Sequence, residues 1–219
     1  MDLPPLPDWD PAPDDAYGPR YADALALTAW GHRHQRRKRG PEERSVPGIP
    51  YVGHVLEVSA LALLAGADED QAVAALLHDA LEDWDAPEER TAALIRDRYG
   101  ERVLRLVEAC TDRDLEGNRD RGRHNWRERK ELHLRHLAEL GPEELLVPAA
   151  DKVANARAIL DDLADDGVRV WQRFNAPAPD ILWYYRANLA VLQEAVPDGL
   201  LTRRLADLVD LLAERMPGG

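Results

Sequence analysis

Cysteine is nearly absent. Cys110 stands alone, which excludes an internal disulfide framework and fits a reducing compartment. Phenylalanine occurs once and lysine three times, against 25 arginines. Alongside so much Ala, Asp and Gly, that skew reads as codon bias, so a cluster of arginines carries less weight than usual. No apolar run approaches the ~20 residues that span a bilayer. No segment alternates apolar and polar residues as a strand would. Positive charge is short too. The formal net charge is −13, which argues against general binding to nucleic acid or anionic membrane. Residues 1–15 are acidic and hold five prolines, the opposite of a signal peptide, and are predicted to form a flexible arm. The expectation is a soluble cytoplasmic protein with neither nucleic acid nor membrane as partner, folded as a single domain over 16–219.

What is present is apolar sequence at helical spacing, 45% of the chain. A first helix is expected from about Tyr17 or Tyr21 to about Arg37, ending in the cationic run His32 to Arg39, where the dipole favours positive charge. Gly40 to Pro50 is a loop. Pro50-Tyr51 opens a second helix, apolar nearly all round and therefore buried, with His54 one turn in. Asp68 caps a third. Two short helices split at Gly100, and Thr111 to Asn125 reads as a charged loop. Helices Trp126–Leu140 and Glu143–Ile159 follow, then a turn over Asp161–Gly167. A helix over Asp180–Ala195 and a last amphipathic one over Leu200–Arg215 complete the chain. Nothing in the pattern divides it. The fold class is all-α, a bundle of roughly 8–11 helices.

The third helix carries the stretch on which the reading turns, Ala75-Leu76-Leu77-His78-Asp79-Ala80-Leu81-Glu82-Asp83. His78 and Glu82 are four residues apart, as are Asp79 and Asp83, so on one continuous helix each pair shares a face. Carboxylates among apolar residues need a counter-charge, and a divalent cation supplies one. The alternative for such a stretch is a solvated acidic helix end with a hydrogen-bonded histidine. His54, His78, Asp79 and Asp151 each lie on a predicted helix within or beside apolar residues. Two imidazoles and two carboxylates suit Mn²⁺, Fe²⁺ or Zn²⁺ better than the hard ions Ca²⁺ and Mg²⁺. Glu82 and Asp83, one turn beyond, are placed to orient a water or to carry its proton.

At this point the sequence resembles a known family. His54, then His78-Asp79, then Asp151 are similar in order and spacing to the HD-domain metal-dependent phosphohydrolases. His32-x-x-Gln35-Arg36-Arg37-Lys38, Pro50-Tyr51-x-x-His54, Leu76-Leu77-His78-Asp79-x-x-Glu82-Asp83 and Ala150-Asp151-Lys152-x-x-Asn155 resemble the hydrolase domain of RelA/SpoT proteins. The stand-alone small alarmone hydrolases are the nearest group. The resemblance implies a single Mn²⁺ held by His54, His78, Asp79 and Asp151. It implies water activation by Glu82 and Asp83, and contacts from Arg37, Lys38 and Asn155 to a small-molecule nucleotide. The implied reaction removes the 3′-pyrophosphate of guanosine tetra- or pentaphosphate. Three departures stand out: a longer loop between Lys38 and Pro50, Trp84 where a threonine is usual, and Ala154 where His or Tyr is usual. They leave open an HD phosphohydrolase for an adenosine alarmone or a plain nucleoside phosphate. A catalytically silent nucleotide-binding regulator is the third reading, and intact Glu82 and Asp83 argue against it. Little chain remains to hold a synthetase domain.

Overall fold

The computed structural model describes residues 18–37, 48–112 and 126–217. The predicted arm 1–15, Lys38, most of the loop that follows it, and residues 113–125 of the expected charged loop lie outside them. The described residues hold ten α-helices and one 3-10 helix; their only β pairing is a single bridge between Arg36 and Pro50. The all-α expectation is borne out. Chain contacts divide these residues into two compact units, the first over 18–36 and 49–111, the second over Arg37, Gly48, Asp112 and 126–217.

The first unit is built on α3, Glu69–Leu77, which packs on α1 (Pro19–Gly31), α2 (Val52–Leu64) and α6 (Glu101–Glu108). Every residue from Gln71 to Leu77 is buried. The expected cap is present as a reciprocal box: the Asp68 carboxylate accepts from the Gln71 backbone N–H, and the Gln71 side chain accepts from the Asp68 backbone N–H, both at 2.9 Å. Gly100, at φ +96°, separates α5 (Glu88–Tyr99) from α6.

Three expectations fail here, each for a physical reason. The first helix stops at Gly31 rather than near Arg37, and the head of the cationic run closes it: His32 is its C-cap and Arg33 Nη1 donates to Trp30 O at 2.7 Å. A Cβ on Gly31 would lie 2.2 Å from the Trp84 indole, and the chain then turns so that the Gln35 carbonyl accepts from the Tyr51 N–H at 3.1 Å. The second helix is not buried all round: Leu56 and Leu64 on α2 are exposed. Finally, the helix over Asp68–Asp83 is not continuous. It breaks at His78–Asp79 and resumes as the single turn α4, Ala80–Asp83.

The second unit is organised on α8, Pro142–Asp166, which packs on α9 (Ala178–Ala195), α10 (Leu200–Glu214) and the 3-10 helix Gly167–Arg173. Helix α7, Trp126–Glu139, packs on α9. The turn expected over Asp161–Gly167 is therefore helix as far as Asp166. Leu160 and Leu163 are buried, which extends the apolar face past Ile159. Asp162 and Asp166 each receive the Arg173 guanidinium, and Gly167 (φ +60°) ends the helix.

An ion pair between the exposed Arg98 and the buried Asp23 ties α1 to α5. Asp23 accepts both Nε and Nη2 of Arg98, and Tyr99 Oη donates to it at 2.6 Å. These bonds, the Arg98 guanidinium first, hold the Asp23 carboxyl below its ordinary value of 3.8 against the opposing effect of burial. Because the folded value is depressed, the stabilisation is complete above 3.8 and is lost as the pH falls through the folded value. Asp23→Asn should cost about 2 kcal/mol in urea unfolding at pH 7, and the gap to wild type should close in acid. A gap that does not narrow in acid would contradict the pairing.

Candidate functional site

The helix break presents the first group of functional side chains. In an unbroken helix the carbonyls of Ala75 and Leu76 would accept from Asp79 and Ala80. Here the Thr28 hydroxyl donates to Leu76 O at 2.7 Å, and His78 Nδ1 is 2.9 Å from Ala75 O. Both orphaned carbonyls are thus satisfied by side chains, and the chain can turn. The bond to Ala75 places the proton of a neutral His78 on Nδ1 and leaves Nε2 with its lone pair as a ligand atom. Asp79 Oδ2 lies 3.1 Å from His78 Nε2 and 3.8 Å from His54 Nε2, and the two imidazoles are 5.3 Å apart between centroids. Tyr51, one turn before His54, donates its hydroxyl to the same Asp79 oxygen. His54 and His78 are buried and Asp79 is partly so.

Glu82 and Asp83 follow on α4, both half-buried. The Asp79 carbonyl accepts from the backbone N–H of Glu82 (3.1 Å) and of Asp83 (2.9 Å), closing α4 directly on the break. Asp83 Oδ2 accepts from Gln35 Nε2 at 2.7 Å.

The second unit carries the remaining residues. Asp151, buried on α8, accepts from Lys152 Nζ at 2.6 Å and from Asn155 Nδ2 at 2.5 Å, one helical turn on. Burial disfavours the Lys152 ammonium, yet the Asp151 carboxylate outweighs it and holds the proton well above the ordinary lysine range. Around this pair lies a cluster that the sequence did not reveal. Asp112 Oδ2 accepts from Arg129 Nη1 and Lys130 Nζ, both at 2.7 Å, and Lys130 and Lys152 both stand over the Tyr184 ring. Burial, with Lys152 and Lys130 adding to it, lowers His133 to about 3, so it is neutral. In the sequence Arg129-Lys130 is indistinguishable from a solvated charged face. Arg37 is half-buried, and its charge acts on Tyr185, while Lys38 is outside the described residues. Tyr184 and Tyr185 are buried, as expected of core residues, and so is Ala154.

A family model described as an HD domain matches residues 26–180. The chain belongs to the HD-domain family. Over 141 residues this HD protein is 36% identical to the guanosine-3′,5′-bis(diphosphate) 3′-pyrophosphohydrolase MESH1 of Drosophila melanogaster, a match covering 63% of this chain and 68% of that relative. It is 37% identical over 93 residues to the guanosine-3′,5′-bis(diphosphate) 3′-pyrophosphohydrolase of Aquifex aeolicus, covering 42% of this chain but only 12% of that longer protein. A solved structure described as a metazoan ortholog of SpoT that hydrolyzes ppGpp superposes with a TM-score of 0.64 at 26% identity, covering 89% of this chain and 96% of that one.

An HD domain implies a divalent metal, and the donors in the first unit fit one: two buried imidazoles, one with its tautomer set by a backbone carbonyl, beside a carboxylate oriented by a tyrosine. Tyr51 is the residue whose role here the sequence did not disclose, although it stands three places before His54. Tyr51→Phe should weaken binding of a divalent ion about 10-fold without unfolding the protein. Titration of metal-free protein with Mn²⁺ against a chelating dye checks this, and an unchanged affinity would refute the role given to Tyr51.

Proposed function

We propose that this HD protein is a metal-dependent 3′-pyrophosphohydrolase of guanosine tetra- and pentaphosphate, a stand-alone small alarmone hydrolase that releases GDP or GTP and pyrophosphate. The observation that carries the reading is the donor set at the helix break, in a chain that spans 68% of a relative named for this reaction. The family match over 26–180 runs through both units, which supports one hydrolase domain over 16–219. No helix among the described residues is long and apolar enough to cross a membrane.

In this reading His54, His78, Asp79 and Asp151 would hold one ion, with Mn²⁺ the natural occupant for two imidazoles and two carboxylates. When bound, the ion supplies a Lewis acid that acidifies a water and offsets charge on the phosphate oxygens. Glu82 and Asp83 would direct the attacking water toward the phosphorus on the 3′ oxygen and accept its proton. Lys152 and Asn155 hold the Asp151 carboxylate in place by donating to both its oxygens. Asn155 also contacts the ribose. Arg37 and Lys38 take the nucleotide, where a guanidinium can stack on the base or fork onto phosphate. Their local charge draws a polyanionic substrate to a protein of net charge −13.

Two expected outcomes test the assignment. Glu82→Gln and Asp83→Asn should keep the metal and lose turnover by roughly 10²–10⁴-fold. Elemental analysis alongside pyrophosphate release checks both halves, and near-normal kcat in both variants would place the base elsewhere. Arg37→Glu should raise KM for guanosine tetraphosphate at least about 10-fold with metal content unchanged. An unaltered KM would remove Arg37 from the substrate site.

A further inference from the structure

Trp84 does not stand as a bulky group over the acidic pair. It folds back on the end of α1, over the Cβ-less Gly31, and is buried. From there its indole Nε1 donates to His32 Nε2 at 3.1 Å, and the two rings meet edge to face. His32 Nδ1 is 2.5 Å from Gln35 Oε1, and Gln35 Nε2 is 2.7 Å from Asp83 Oδ2. The path closes on itself, since Trp84 follows Asp83 in the chain.

The direction of these bonds is fixed by chemistry. An indole N–H can only donate, so His32 Nε2 must accept. A neutral imidazole accepting at Nε2 carries its proton on Nδ1 and donates there. Gln35 therefore presents its carbonyl to His32, which leaves its NH₂ for Asp83. Burial, against the Gln35 bond, lowers the His32 imidazole below the ordinary histidine range and favours the neutral ring that the pattern requires.

We propose that Trp84, His32 and Gln35 form a one-way hydrogen-bond relay that positions the Asp83 carboxylate for hydrolysis, with the indole setting the direction of every bond. None of the three touches the reacting atoms; they are positioning residues. A donor on Oδ2 fixes the plane of the carboxylate. Gly31 belongs to the device because any side chain there would push the indole off His32. The relay rests on the hydrolase reading, in which Asp83 accepts a proton from the attacking water.

The test is a set of double-mutant cycles on the Mn²⁺-loaded protein with guanosine tetraphosphate. Trp84→Phe, Gln35→Met and Gly31→Ala should each lower kcat about 10- to 100-fold, with KM within about two-fold and metal content unchanged. In an Asp83→Asn background the same substitutions should have no further effect, because the carboxylate through which they act is already gone. Losses that multiply with Asp83→Asn would show a general structural role and overturn the relay, as would unchanged kcat in both Trp84→Phe and Gln35→Met. Nitrogen-15 spectra of the metal-free protein give a readout apart from activity. His32 should show an unprotonated Nε2 and a protonated Nδ1 in wild type and lose that preference in Trp84→Phe; the opposite tautomer in wild type overturns the relay. A wild type that leaves guanosine tetraphosphate untouched overturns the hydrolase reading and with it the catalytic use of the relay. An active wild type with multiplying losses overturns the relay alone.

Discussion

The interruption of one helix at His78–Asp79 is the constraint from which the functional end of the first unit follows. A helix that stops inside a core leaves carbonyls that must find donors. This one finds them in the Thr28 hydroxyl and the His78 imidazole. The second bond does two things at once. It closes the helix end, and it selects the tautomer that leaves His78 Nε2 as a donor atom beside Asp79 and near His54. Structure and chemistry are coupled through a single proton on Nδ1. The adjoining turn α4 then begins on the Asp79 carbonyl, so the orientation of Glu82 and Asp83 depends on the same break.

The second unit answers a different electrostatic demand. Buried carboxylates persist when donors surround them. Asp151 has Lys152 and Asn155, and Asp112 has Arg129 and Lys130. The lysines in turn rest against the face of Tyr184, which lessens the penalty of holding them away from water. His133 is neutral chiefly because burial disfavours its charged form, with Lys152 and Lys130 adding to it, whereas Lys152 keeps its proton against burial because Asp151 stands beside it.

Much of this was legible in the sequence, and what was not has identifiable causes. Apolar periodicity located most helices, Asp68 announced its cap and Gly100 its break, because those signals are local. The spacing of His54 and His78-Asp79 singled out residues that do lie together in the first unit. The break at His78 was hidden because Ala75 to Leu81 continues the apolar pattern across it; only the distant Thr28 supplies the missing donor. The end of α1 was misplaced because an eight-residue cationic run does not show where along it the helix stops, whereas the contact at the observed end is Trp84 against Gly31, far apart in sequence. Charged clusters such as Arg129-Lys130 with Asp112 escape notice for the same reason. A side chain's partner across the fold decides whether it is solvated or structural, and a linear pattern does not show that partner.

In the proposed reaction water attacks the phosphorus carried on the 3′ oxygen and releases pyrophosphate intact. The most direct measurement is mass spectrometry of the products formed from guanosine tetraphosphate by the Mn²⁺-loaded protein in water enriched in heavy oxygen. GDP without label and pyrophosphate carrying one labelled oxygen, in equal amounts, are the expected products. Label on the nucleoside product, or orthophosphate in place of pyrophosphate, would contradict that reaction.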